Sequence, residues 1–174
     1  MKVLNKVFIS IITMVMLTIS TGILEASAAS GSTRMNIPGN AGTITSNVWR
    51  HTQPLQTGNN LNWGYQVSAV YTGTRAVERI RTTWVVSSTM RKSARITVGV
   101  SNDGWRASSS SNWQTVRSAP RFWQNSNGAK TSSWRSNIII TPRQDYRSGS
   151  LAVTNTALVK LRTDARTFEI SAAA

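Results

Sequence analysis

The chain has 174 residues, a formal net charge of +14, seven tryptophans, one histidine and no cysteine. That composition excludes disulfide staples and cysteine-built metal or nucleophile chemistry, and it leaves a single imidazole for any catalytic arrangement that needs one. So large a positive excess draws the protein toward polyanions and carries no information about fold.

Residues 1–28 read as an export signal. Lys2 and Lys6 supply the positive start, Val7 to Leu24 is uncharged and mostly apolar, and Ala26-Ser27-Ala28 offers the small residues of a cleavage site. The apolar run is close to the lower limit of roughly 17–25 residues for a spanning helix, and it is interrupted by Thr, Ser and Gly. Removing the leader takes away Lys2, Lys6 and Glu25 and leaves +13 on residues 29–174. That length is one domain, and roughly 68–70% of its unfolded surface is buried on folding, enough for a core without metals or disulfides. An exported chain without cysteine fits a Gram-positive bacterium. The expected localisation is secreted, either extracellular or associated with the cell wall.

Residues 29–43 are small and polar, with Pro38-Gly39 and Gly42, and read as a flexible N-terminal arm. Residues 44–174 read as the folded domain. Trp63, Tyr65, Val67, Ala69 and Tyr71 fall at strict period two, as do Ala94, Ile96, Val98 and Val100. Such alternation belongs to strands with one face wet. Arg79–Val86 and Ser136–Ile140 are rich in β-branched residues, which favour strands. Leu151–Leu161 reads as a long strand with one irregularity near Ala157-Leu158-Val159, the signature of a bulge. Thr57-Gly58-Asn59-Asn60, Thr72-Gly73, Asn102-Asp103-Gly104, Asn125-Ser126-Asn127-Gly128 and Ser148-Gly149 mark turns, and Asp103-Gly104 is the best hairpin signal. No stretch keeps a helical period over ten residues. The expectation is an all-β chain of seven to nine strands forming one antiparallel β-sandwich, with a small β-barrel as the alternative.

The sequence offers little for catalysis. His51 is the only histidine and reads as a surface residue, and no G-x-S-x-G elbow occurs. The scattered carboxylates build no usual zinc or calcium site, so neither metal nor cofactor is expected. Asp145 lies between Arg143 and Arg147, and Asp164 between Arg162 and Arg166. Such flanking favours the ionised carboxylate, which suits local charge balance and not a general acid.

The cations are distinctive: fifteen arginines against five lysines in the whole chain. Guanidinium is planar and bidentate, so it matches phosphate and carboxylate and stacks on aromatic rings. The densest stretch gives the candidate binding set: Arg91, Lys92, Arg95, Trp105, Arg106, Trp113, Arg117, Arg121, Trp123, Trp134 and Arg135. Trp63 and Trp84, in apolar strands, are expected in the core, whereas Trp113 and Trp123 have polar neighbours.

Trp63-Gly64-Tyr65-Gln66-Val67-Ser68-Ala69-Val70-Tyr71 resembles an early strand of the small, cationic, cysteine-free lactococcin-type bacteriocins. The likeness covers only this segment of the chain and implies a secreted β-sandwich acting at cell walls; no functional residue carries over.

The function expected is that of a secreted, cationic, non-enzymatic protein binding anionic polymers through an Arg/Trp-rich face. Teichoic acid, acidic polysaccharide and extracellular nucleic acid are the candidate partners, with peripheral contact to anionic membrane as a further possibility and no sequence-specific nucleic-acid recognition. A bacteriocin or toxin acting on target-cell envelopes and a cell-wall hydrolase or its inhibitor are the alternatives.

Overall fold

The computed structural model describes the backbone of residues 28–91, 95–98, 106–110, 113–141 and 148–174, and side chains within 28–89, 115–141 and 150–174. Residues 1–27 of the expected export signal, the Asp103-Gly104 turn and the Arg143–Asp145–Arg147 group lie outside the described residues.

Twelve strands are present among the described residues: β1 Ala28–Asn36, β2 Thr43–His51, β3 Leu55–Thr57, β4 Asn60–Thr72, β5 Val77–Arg91, β6 Arg95–Val98, β7 Arg106–Ser110, β8 Trp113–Arg117, β9 Arg121–Ser126, β10 Thr131–Thr141, β11 Ser148–Leu161 and β12 Thr167–Ala173. They form two antiparallel sheets packed together as a sandwich. The front sheet runs β1-β2-β4-β10-β6, with β3 also on β4; the back sheet runs β12-β11-β5-β8-β7, with β9 also on β5. Among the described residues no strand pairs across from one sheet to the other, so the sandwich holds and the barrel does not.

Alternation fixes what faces inward. On the front sheet Ile44, Val48, Trp63, Tyr65, Val67, Ala69, Tyr71, Ile138 and Ile140 are buried; on the back sheet Ile80, Trp84, Val86, Val153, Ala157, Val159 and Leu161 are buried. Trp63 and Trp84 are each only 4% exposed, as their apolar strands predict.

A polar belt divides this interior. Asn155, fully buried on β11, shares its side-chain NH2 among the Ser46 hydroxyl at 3.0 Å and the carbonyls of Ser68 at 2.9 Å and Asn47 at 3.2 Å on the front sheet. Its side-chain oxygen accepts from the buried Thr82 hydroxyl, and Ser46 Oγ donates to the Asn155 carbonyl at 2.9 Å. On one side of the belt Val48, Trp63, Tyr65, Val67, Trp84, Val86, Ile138, Ile140 and Val153 pack together. On the other side Ile44, Ala69, Tyr71, Val77, Ile80, Ala157, Val159, Leu161 and Phe168 do so.

Two segments depart from the sequence reading. Residues 29–36, within the expected arm, form β1 together with Ala28, the last residue of the expected export signal, and pair residue for residue with β2 from Ala28↔His51 to Asn36↔Thr43. Small side chains make this possible, because β1 runs close against β12: a Cβ on Gly31 would lie 2.0 Å from the Ala173 carbonyl oxygen. No register shift marks the Ala157-Leu158-Val159 irregularity; the shifts fall between Ser148 and Ser150 and between Lys160 and Leu161. Leu158 is buried on the outer face instead, between its cross-strand neighbours Arg81 and Glu169, whose long side chains cover apolar surface.

The belt sets the first prediction. Asn155→Ala strands the Thr82 hydroxyl and removes a donor from two front-sheet carbonyls and from Ser46, which keeps its bond to the backbone carbonyl at 155, at a cost of roughly 1–3 kcal/mol for a group stranded in the interior. Thermal unfolding of the variant is expected to fall by several degrees, on the order of 2–4 °C per kcal/mol, while far-ultraviolet circular dichroism keeps the β signature.

Candidate functional site

The residues singled out from the sequence do not share one face. Arg91, Arg95, Arg106 and Trp113 are placed by backbone alone, on β5, β6, β7 and β8. Lys92 and Trp105 lie outside the described residues. Arg117 is exposed on the outer face of the back sheet, opposite Ser87 and Arg106 in the strand pairing. Arg121 and Trp123 pair with Trp84 and Thr82 and so turn toward the space between the sheets. Trp134 also turns inward, from β10, whereas its neighbour Arg135 is exposed on the outer front face. Strand alternation thus separates the Trp134-Arg135 dipeptide.

Two members do meet. Trp123, 45% exposed at the rim, lies 5.2 Å from Trp134 between ring centres. Trp134 stacks on Trp84 at 6.0 Å, and Trp84 lies 6.3 Å from Tyr65, so four rings run from the rim into the core. Ser132 Oγ donates to the Trp123 carbonyl at 2.7 Å and ties β10 to β9 where this row begins. Burial pushes the Tyr65 phenol up to about 12, against the opposing pull of Trp84, Ser136 and the Arg121 charge. The Trp84 N–H is near enough to favour tyrosinate without making a full hydrogen bond.

A basic and aromatic group that the sequence reading passed over stands on the outer face of the back sheet. Arg79 and Arg81 point outward from β5, flanked by Lys160 on β11 and by Gln124 and Phe122 on β9. The Arg81 guanidinium lies 5.5 Å from the centre of the Phe122 ring, which is 62% exposed. Neither Arg79 nor Arg81 pairs with a carboxylate among the described residues, and the Nε of each is buried without a hydrogen-bond partner. Glu78 is taken by Lys160 at 3.2 Å, and Glu169 stands two strands away from Arg81, beyond Leu158. The signal was present in Arg79-Ile80-Arg81, two guanidiniums at period two on a strand.

The outer front face is different in kind. No carboxylate occurs in β1, β2, β3, β4, β6 or β10. Strand pairing aligns Ser32, Asn47, Ser68 and Ser133 in one row and Ser30, Trp49, Gln66 and Arg135 in the next. Ser32 donates to Asn47 at 2.8 Å, Asn47 to Ser68 at 3.2 Å, and Arg135 to Gln66 at 3.0 Å. Below them His51 lies over Gly64, where an added Cβ would sit 2.8 Å from the imidazole Cδ2. Trp49 meets His51 edge to face, with ring centres 4.6 Å apart.

Asp164 sits in the turn between β11 and β12, not on a strand. It accepts from the Arg166 guanidinium at 2.9 and 3.0 Å and from the Arg166 backbone N–H at 3.0 Å. These bonds hold its carboxyl down at about 2. Arg162, expected as its second partner, makes no ion pair with it.

No family model matches the chain, and no curated protein shows significant similarity to it.

Two titrations check these environments. Tyr65 has a folded pKa above the ordinary value of 10, so its contribution to stability is complete below pH 10 and is lost as pH rises toward about 12. Tyrosinate absorbance is expected to show a late phase near that pH, and Tyr65→Phe to remove it. Asp164 is the opposite case: its folded pKa is depressed, so its contribution is complete above about pH 4 and is lost as pH falls through about 2. Carboxyl chemical shifts followed by NMR should place its midpoint there, and Arg166→Gln should move it up.

Proposed function

We propose that this is an exported, non-enzymatic protein that holds anionic polymers of the bacterial envelope or extracellular matrix on the outer face of its back sheet. One observation carries the reading: Arg79 and Arg81, free of any carboxylate among the described residues, stand side by side with the exposed Phe122 ring against Arg81. A guanidinium presents two parallel N–H donors to a phosphate or carboxylate. An adjacent exposed ring adds a surface on which a sugar or base can stack. Both strands supplying these residues are long or firmly paired, so the donors are set before a ligand arrives.

Arg117 extends the positive surface along the same face, toward the strands that carry Arg91 and Arg106. A polymer with regularly repeated charge suits such an elongated surface better than a small anion, because each added contact raises the effective concentration of the next. The net charge of +14 adds long-range attraction that salt screens.

The test is retention of the protein on immobilised polyphosphate. Affinity is expected to fall about tenfold between 50 and 200 mM salt, as displacement of a few counterions requires. The double variant Arg79→Gln/Arg81→Gln should lose most of the retention while far-ultraviolet circular dichroism shows the β fold kept. Retention at low salt no stronger than on a neutral matrix would sink the reading.

A further inference from the structure

The geometry points to a second binding surface on the outer face of the front sheet, one that takes an acidic polysaccharide, a chain of sugar rings bearing carboxylates, at Trp49, His51, Gln66 and Arg135. This surface lies on the opposite side of the sandwich from Arg79 and Arg81, and the inference does not depend on what binds there.

Three features carry it. The first is charge: the strands of this sheet contain Arg34, Arg50, Arg95 and Arg135 and no Asp or Glu, so a sugar carboxylate meets no repulsion from the sheet itself. The second is the aromatic pair. Trp49 and His51 lie two residues apart on β2, which puts both on the outer face. Glycine at position 64 on the adjacent strand is what lets the imidazole settle onto the sheet, since a Cβ there would collide with it. Joined edge to face, the two rings make an apolar spot in a field of Ser, Thr, Asn and Gln, the combination that accepts the C–H face of a sugar while its hydroxyls find donors and acceptors.

The third feature is that the polar groups are held in place. Gln66 accepts from Arg135 through one terminal nitrogen, which fixes the guanidinium and leaves its remaining N–H groups for a carboxylate. The Ser32–Asn47–Ser68 chain of hydrogen bonds sets the adjoining row in the same way. Trp49, Gln66 and Arg135 follow one another across β2, β4 and β10, a span of about 10 Å at ordinary strand spacing. A ring stacked at Trp49 therefore lies a disaccharide's reach from the guanidinium that would hold its neighbour's carboxylate. Polyphosphate lacks the rings that this arrangement engages, so the face distinguishes acidic sugar chains from it.

The experiment compares binding of a polygalacturonate oligomer, a neutral oligosaccharide of equal length and polyphosphate, measured by calorimetry on the purified protein. The oligogalacturonate should bind at least about tenfold more tightly than the neutral oligomer. Trp49→Ala and Gly64→Ala should each weaken it about tenfold while leaving polyphosphate affinity unchanged. Gly64→Ala removes no binding group; it displaces His51, a side-chain tip that moves at little cost, so its thermal unfolding should match that of the parent and separate loss of the surface from loss of fold. Arg135→Gln should abolish the preference for the acidic oligomer over the neutral one. Equal binding of acidic and neutral oligomers, or full affinity in Trp49→Ala and Gly64→Ala, overturns the inference. Loss of oligogalacturonate binding in Arg79→Gln/Arg81→Gln alone overturns it as well, because the chain would then lie on the back sheet. Failure of polyphosphate retention, by contrast, bears only on the back-sheet reading.

Discussion

One buried amide holds the two sheets in register. Asn155 projects from β11 into the middle of the sandwich and donates to a hydroxyl and two carbonyls of the facing sheet, while its own oxygen is taken by Thr82. A polar group so placed is stabilising only when satisfied, and it is satisfied in one alignment of the sheets. A slide along the strands would set the amide against Ile44 or Val48, both buried neighbours of Ser46 on β2. Apolar packing alone is tolerant of such shifts. The amide supplies the discrimination, and the rows of side chains on the two outer faces inherit their alignment from it.

The outer faces then follow from parity. Trp134 and Arg135 are adjacent in the chain and belong to different surfaces, one inward and one outward. Arg79 and Arg81, separated by Ile80, share a surface because Ile80 does not. Trp49, Gln66 and Arg135 come from three strands and stand in one row because β4 pairs with both β2 and β10. Among the described residues, the cations that have acid partners, Lys160 with Glu78 and Arg166 with Asp164, lie in the back sheet or the turn that leaves it. The two faces therefore differ in chemistry: clustered guanidinium with an exposed ring on one, and a hydrogen-bonded polar lattice with Trp49 and His51 on the other.

Much of the fold was legible in the chain. Period-two runs such as Trp63 to Tyr71 announce strands with one dry face and point to the antiparallel sandwich, although twelve strands stand among the described residues where seven to nine were expected, because short pieces such as β3 and β7 carry no apolar alternation. β1 was not legible, because Ala-Ala-Ser-Gly-Ser-Thr lacks the bulky alternation that marks a strand. Its smallness is what its place against β12 requires. Leu158 beside Val159 resembled a bulge because an apolar residue on an outer face breaks the alternation, and only the cross-strand cover of Arg81 and Glu169 explains it. The surfaces were the least legible. Density along the chain picked out Arg91 to Arg135, whereas sheets gather residues across the chain, and pairing between positions such as Trp49 and Arg135 leaves no local trace.

The row of rings from Trp123 to Trp84 has a photophysical consequence. Indoles at such separations exchange excitation readily, and the energy settles on the member with the lowest-lying excited state, which is the one wetted by solvent. Light absorbed by Trp84 would then be emitted largely at Trp123, so the colour of the emission from this row reports hydration at the rim where β9 crosses to β10 more than the state of the core.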